Sequence, residues 1–125
     1  MTSYSINQTF KNCKAEGRPA LLTYTVAGDP TKKKSLDILK AISKNVDIIE
    51  SGMAFSTPIA DGGDIQTSAH RAIQAGINLN ETFKIINKFK KTKYPRPVIL
   101  MGYWNLILQF NENKFIKKCA IKNLT

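Results

Sequence analysis

Three short apolar runs, each followed by residues at helical spacing, constrain this chain more than any other feature. "PALLTYTVAGDP" (19–30) reads as a strand over Ala20 to Val26, closed by Gly28 and Asp29. "VDIIE" (46–50) is a second strand, continuously apolar before its acid, as burial on both faces demands. "PVILMG" (97–102) is a third, bracketed at its start by Pro95 and Pro97. Between them, Leu36, Leu39 and Ile42–Ser43 share one helical face, and Asp29-Pro30 predicts that helix's N-cap and first residue. A helix is expected from about Ile65 to Ala75, ending at Gly76. Another runs from about Asn80 to Lys91, with Ile85, Ile86 and Phe89 inward. A weak helical pattern at Tyr4, Ile6, Phe10 and Cys13 precedes the first strand. "YWNLILQF" follows the third, and a last helix covers Asn113 to Lys122.

Strands alternating with helices imply parallel pairing through right-handed crossovers. That leaves a small doubly wound sheet or part of a (β/α)8 barrel. No GxGxxG or GxxxxGK[ST] loop is present, which counts against a nucleotide-binding doubly wound fold. In a barrel, functional residues gather at the C-terminal ends of strands and in the loops beyond. Glu50, Asp61 and Tyr103-Trp104-Asn105 occupy such places. The fold class read here is therefore α/β, the N-terminal part of a (β/α)8 TIM barrel. Residues 1–125 form one partial domain: an N-terminal helix and about three βα units.

Composition narrows the alternatives. With 42% hydrophobic residues among 125, the chain can build a core. No apolar run reaches the roughly 18 residues of a membrane helix, and the N-terminus lacks the basic start and apolar block of a signal peptide. Cys13 and Cys119 form no CxxC, and a single histidine leaves no zinc set, so no metal is expected. A reducing cytoplasm is the simplest compartment. The net charge of +10 raises nucleic acid as a partner. Sixteen Lys against three Arg favours solvated helix surface over bidentate phosphate or guanine recognition. No docking motif accompanies the charge, and the reading is no nucleic acid and no membrane.

Two acids remain to be explained: Glu50 at the end of the second strand, and Asp61 in the Gly/Ser/Thr/Pro loop that follows. Taken singly they are ordinary, since a strand-end Glu is usually solvated and an Asp before Gly-Gly usually serves a turn. Their surroundings change this. "VAGDP" (26–30), "IIESGMAFSTPIADGGDIQ" (48–66) and "ILMGYWN" (99–105) resemble, in order and spacing, the tryptophan synthase alpha chain family. The family's middle block reads roughly E-L-G-x-P-F-S-D-P-x-A-D-G-P-x-I-Q, and ten of its seventeen positions recur here, both acids included.

The resemblance runs from about Ala20 to Thr125. It implies a lyase of tryptophan biosynthesis that splits indole-3-glycerol phosphate into indole and glyceraldehyde 3-phosphate. Glu50 matches the general acid/base, and Asp61 the acid that accepts the indole N–H and stabilises charge on the protonated ring. Tyr103 and Tyr24 match substrate-contacting positions. The resemblance implies no organic cofactor of the chain's own, and a tryptophan synthase beta chain as partner in an alpha2beta2 tetramer. His70 is read as helix surface and Cys119 as packing.

Ala54, Thr57, Gly63 and Leu106 depart from the family pattern, and "KNVD" (44–47) is one residue short. Thr57 falls in the loop used for communication with the beta chain, so coupling is less secure than cleavage. Losing two prolines should loosen loop 53–64. A complete barrel takes about 250 residues, and the family's phosphate-binding loops follow its seventh and eighth strands. The expectation is thus a fragment with little or no lyase activity alone. A related phosphate-sugar barrel would want a strand lysine, which these strands lack. Outside enzymes, the alternative is a basic interaction module binding nucleic acid or another acidic partner.

Overall fold

The computed structural model describes residues 5–121 and Leu124. The element order is α1 (Ile6–Ala15), β1 (Leu22–Val26), α2 (Lys32–Ile42), β2 (Ile48–Gly52), α3 (Gly63–Gln74), α4 (Leu79–Lys90), β3 (Val98–Met101), α5 (Trp104–Phe110) and α6 (Glu112–Ile121). The strands form one parallel sheet in the order β1-β2-β3. Two helices, α3 and α4, separate β2 from β3.

Local chemistry sets most element ends. Ser5 caps α1 by accepting the Gln8 amide, and Asn78 caps α4 by accepting that of Glu81. Gly76, at φ 82°, adopts the left-handed conformation that closes α3. The N-cap of α2 is Thr31, which accepts from the Lys34 amide at 3.2 Å. The Asp29 cap expected from sequence is not formed, because that carboxylate is engaged by α3. α1 buries Thr9 and Cys13 and leaves Phe10 half exposed; Tyr4 and Lys122 lie outside the described residues.

The first two strands start two residues later than expected and the third one residue later. The Asp47 carboxylate accepts the Leu21 amide at 2.8 Å and a bidentate pair from Arg18 at 2.8 and 2.9 Å. This side-chain knot delays both ladders, so β1 begins at Leu22 and β2 at Ile48. At the other end β2 continues past Glu50, because Gly52 pairs with Val26 on one side and Met101 on the other. Glu50 is therefore the third residue of a five-residue strand rather than its tip.

One sheet face packs on helices. Ile49 and Val98 meet Leu39 of α2, Ala72 of α3, and Ile85, Ile86 and Phe89 of α4 in the main core. The three α4 residues read as inward are all buried. A second cluster joins Phe83 of α4 to Phe110 of α5 and Phe115 of α6, with ring centroids 6.0 and 5.8 Å away. In register on the opposite side stand Tyr24, Glu50 and Ile99, with Leu22 and Met101 partly open to solvent. In a closed barrel such a face is interior.

Candidate active site

Tyr24 of β1 and Glu50 of β2 are direct partners across the parallel ladder, so their side chains leave the sheet on the same face. Beneath Glu50 on that face, Ile48 is fully buried. The Glu50 side chain is half-buried and makes neither hydrogen bond nor ion pair with another described residue. The Tyr24 ring extends over Gly52. A Cβ on Gly52 would come within 2.6 Å of Tyr24 Cζ and 3.0 Å of Cε2, so only glycine leaves the ring its seat.

Beyond Gly52 the chain runs through Met53 to Gly62 before α3. In this loop the Ile59 amide donates to Thr57 and the Asp61 amide to Pro58, at 2.9 and 3.1 Å. The Gln66 side chain donates to the Asp61 carbonyl at 2.9 Å. Tyr103, two residues past β3, meets the loop twice. Its hydroxyl accepts the Ala60 amide at 2.9 Å, and its ring lies 5.0 Å from that of Phe55.

Electrostatics ties these elements together. Burial pushes the Tyr24 hydroxyl above its ordinary pKa; the negative charges of Asp61 and Glu50, and then Tyr103, push it further. A phenol on β1 thus senses an acid on β2, an acid in the following loop and a phenol after β3. Of the sequence-predicted residues, Tyr24 and Glu50 stand at mid-strand on one sheet face, while Asp61 and Tyr103 lie in the segments that follow the C-terminal ends of β2 and β3. Trp104 is exposed beside them at the start of α5, and His70 lies on the outer surface of α3. Cys119 packs against the second cluster. Among the described residues, no group of three or more His, Cys, Asp or Glu side chains is disposed to hold a metal.

The model of the family described as "Tryptophan synthase alpha chain" matches residues 10–124. The chain belongs to that family. The tryptophan synthase alpha chain of Pelagibacter ubique is 60% identical over 114 residues, 91% of this chain and 43% of the relative. The tryptophan synthase of Saccharomyces cerevisiae is 45% identical over 94% of this chain, which corresponds to 17% of the yeast protein. The crystal structure of tryptophan synthase subunit alpha from Legionella pneumophila superposes with a TM-score of 0.89 at 32% identity, over 94% of this chain and 45% of that one. The chain thus spans under half the length of these family members, and its fold is part of the alpha-chain TIM barrel.

Two residues of the site received no role from sequence. Gly52 was a match in the family pattern, but its purpose depends on the ring of a residue 28 positions earlier. Phe55 lay in the same block, and its partner Tyr103 is 48 positions later. Neither pairing leaves a local signal.

Proposed function

We propose that this chain supplies the acid/base part of an indole-3-glycerol-phosphate lyase site within a tryptophan synthase alpha chain. The observation that carries the reading is geometric: Tyr24 and Glu50 are ladder partners on one sheet face, and Asp61 stands in the loop that follows the C-terminal end of β2.

The bond to be broken joins indole C3 to the glycerol chain. Glu50 delivers a proton to C3 and removes one from the adjacent glycerol hydroxyl, whose carbon becomes the aldehyde. The electrons of the broken bond return to the ring and restore indole. Asp61 accepts the indole N–H and balances positive charge on the protonated ring. Tyr24 and Tyr103 border the ring. Glu50 suits the acid/base task because strand backbone holds it and no described residue forms an ion pair with it.

No step in this scheme uses a metal or an organic cofactor. A tryptophan synthase beta chain is the partner the family implies, with the cytoplasm as the compartment. The substrate's phosphate is anchored, in this reading, by barrel strands beyond the three described.

The test is indole release from indole-3-glycerol phosphate by the full polypeptide, with whatever sequence its gene carries around residues 1–125. Glu50→Gln is expected to lower kcat by about 10²–10⁴-fold while substrate still binds. Full turnover by that variant removes Glu50 from the mechanism.

A further inference from the structure

We propose that Tyr103 is a positioning residue: it acts on the reaction through the backbone of the Asp61 loop, which it clasps at both limbs. This role rests on the lyase reading above.

The loop's entry is anchored: Met53 is buried with its amide donating to the Met101 carbonyl at 2.8 Å, and Ala54 packs on the main core; from Phe55 onward little else holds it. Ile59, at its crest, is 84% exposed. Ala54 and Gly63 restrict the backbone less than prolines would. The bonds inside the loop, Ile59 to Thr57 and Asp61 to Pro58, are short-range turns that shape the crest without tying it to the sheet. Gln66 secures the Asp61 carbonyl only to the first turn of α3.

Tyr103 ties the rest of the loop, from Phe55 to Ala60, to the end of the sheet. It lies two residues past β3, in extended backbone at φ −80° and ψ 140°. It occupies the N-cap of α5, where its side chain makes no capping hydrogen bond. Its hydroxyl instead reaches the Ala60 amide, one peptide unit before Asp61, while its ring packs against Phe55 at the loop's entry. Four residues separate the two contacts, so one phenol closes the loop like a clasp. A displacement of about 1 Å in a positioned group is enough to cost a reaction heavily, and Asp61 has no side-chain partner of its own among the described residues.

The experiment compares wild type, Tyr103→Phe and Phe55→Leu in the full polypeptide, by amide hydrogen exchange and steady-state kinetics. Tyr103→Phe keeps the ring and removes the acceptor. The Ala60 amide is expected to exchange at least tenfold faster, with Ile49 in β2 unchanged, and kcat to fall at least tenfold with a smaller change in KM. Phe55→Leu, which keeps the hydroxyl, is expected to give a smaller effect of the same kind at Ala60. A raised KM with normal Ala60 protection would leave Tyr103 a substrate contact only and overturn the proposal. So would faster Ala60 exchange with unchanged turnover, or equal acceleration at Ile49, which marks a general loss of stability. A wild-type polypeptide that releases no indole overturns the lyase reading and this role with it; an active wild type with an unaffected Tyr103→Phe variant overturns the role alone.

Discussion

Arg71 of α3 grips Asp29 with two parallel hydrogen bonds, Nε to Oδ1 at 2.7 Å and Nη2 to Oδ2 at 2.8 Å. The Ser68 hydroxyl, one turn earlier, donates to the same carboxylate at 2.5 Å. Asp29 lies just after β1, and α3 starts two residues after Asp61. The clamp therefore locks the helix behind the site to the first strand, across 42 residues of sequence.

This clamp has a pH signature, shared with Asp47. The Arg71 and Ser68 hydrogen bonds hold Asp29 below the usual carboxylate range, and the Arg18 guanidinium and Leu21 amide hold Asp47 well below it. A carboxylate with a depressed folded pKa stabilises fully above its unfolded value, about 4, and loses that contribution as pH falls. Chemical unfolding followed from pH 7 down to 2.5 should show stability declining below about pH 4. Asp29→Asn should cost about 1 kcal/mol at pH 7 and flatten that decline. An unchanged slope would show that Asp29 does not carry it.

Gly52 and Tyr24 should be coupled. Gly52→Ala places a methyl where the Tyr24 ring lies, and is expected to destabilise by about 1–3 kcal/mol. Removing the ring as well, in Gly52→Ala/Tyr24→Ala, should cost less than the sum of the two single changes. Additive values in a double-mutant cycle would mean that the ring moves aside freely.

Gly63 occupies the first position of α3, after Gly62 in extended backbone at φ −70° and ψ 165°. Both conformations suit a proline at position 63, and a Cβ there would meet nothing within 4 Å. Gly63→Pro should raise stability by about 0.4–1 kcal/mol by restricting the unfolded chain. Thermal denaturation checks this, and a lower Tm would mean that the position needs glycine.

Ser51 faces away from Glu50, toward the helices, and is 1% exposed; its hydroxyl has no hydrogen-bond partner among the described residues. The family pattern carries leucine there. Ser51→Ala removes an unpaired buried polar group and should stabilise by about 1 kcal/mol. Destabilisation measured by urea unfolding would reveal a hidden partner for the hydroxyl.

Much of this architecture is written in local sequence. Apolar runs of strand length, helical spacing and Gly76 are enough to predict alternating elements and a parallel sheet, because periodicity and backbone freedom act over a few residues. The inward face of α4 follows from the same spacing. The family blocks pointed to Glu50, Asp61, Tyr103 and Tyr24, since each lies in or near a recognisable stretch.

Other features depended on residues far apart in the chain. Asp29 next to a proline reads as a helix cap, yet Arg71 competes for its carboxylate and Thr31 takes the cap instead. The strand starts moved because Asp47 binds Arg18 and Leu21. The seat of Tyr24 on Gly52 and the clasp of Tyr103 on Phe55 and Ala60 exist only once three strands stand side by side. Short-range propensity could name the elements and their order; the partner of each charge, ring and hydroxyl was decided by side chains that only folding brings within 3 to 5 Å.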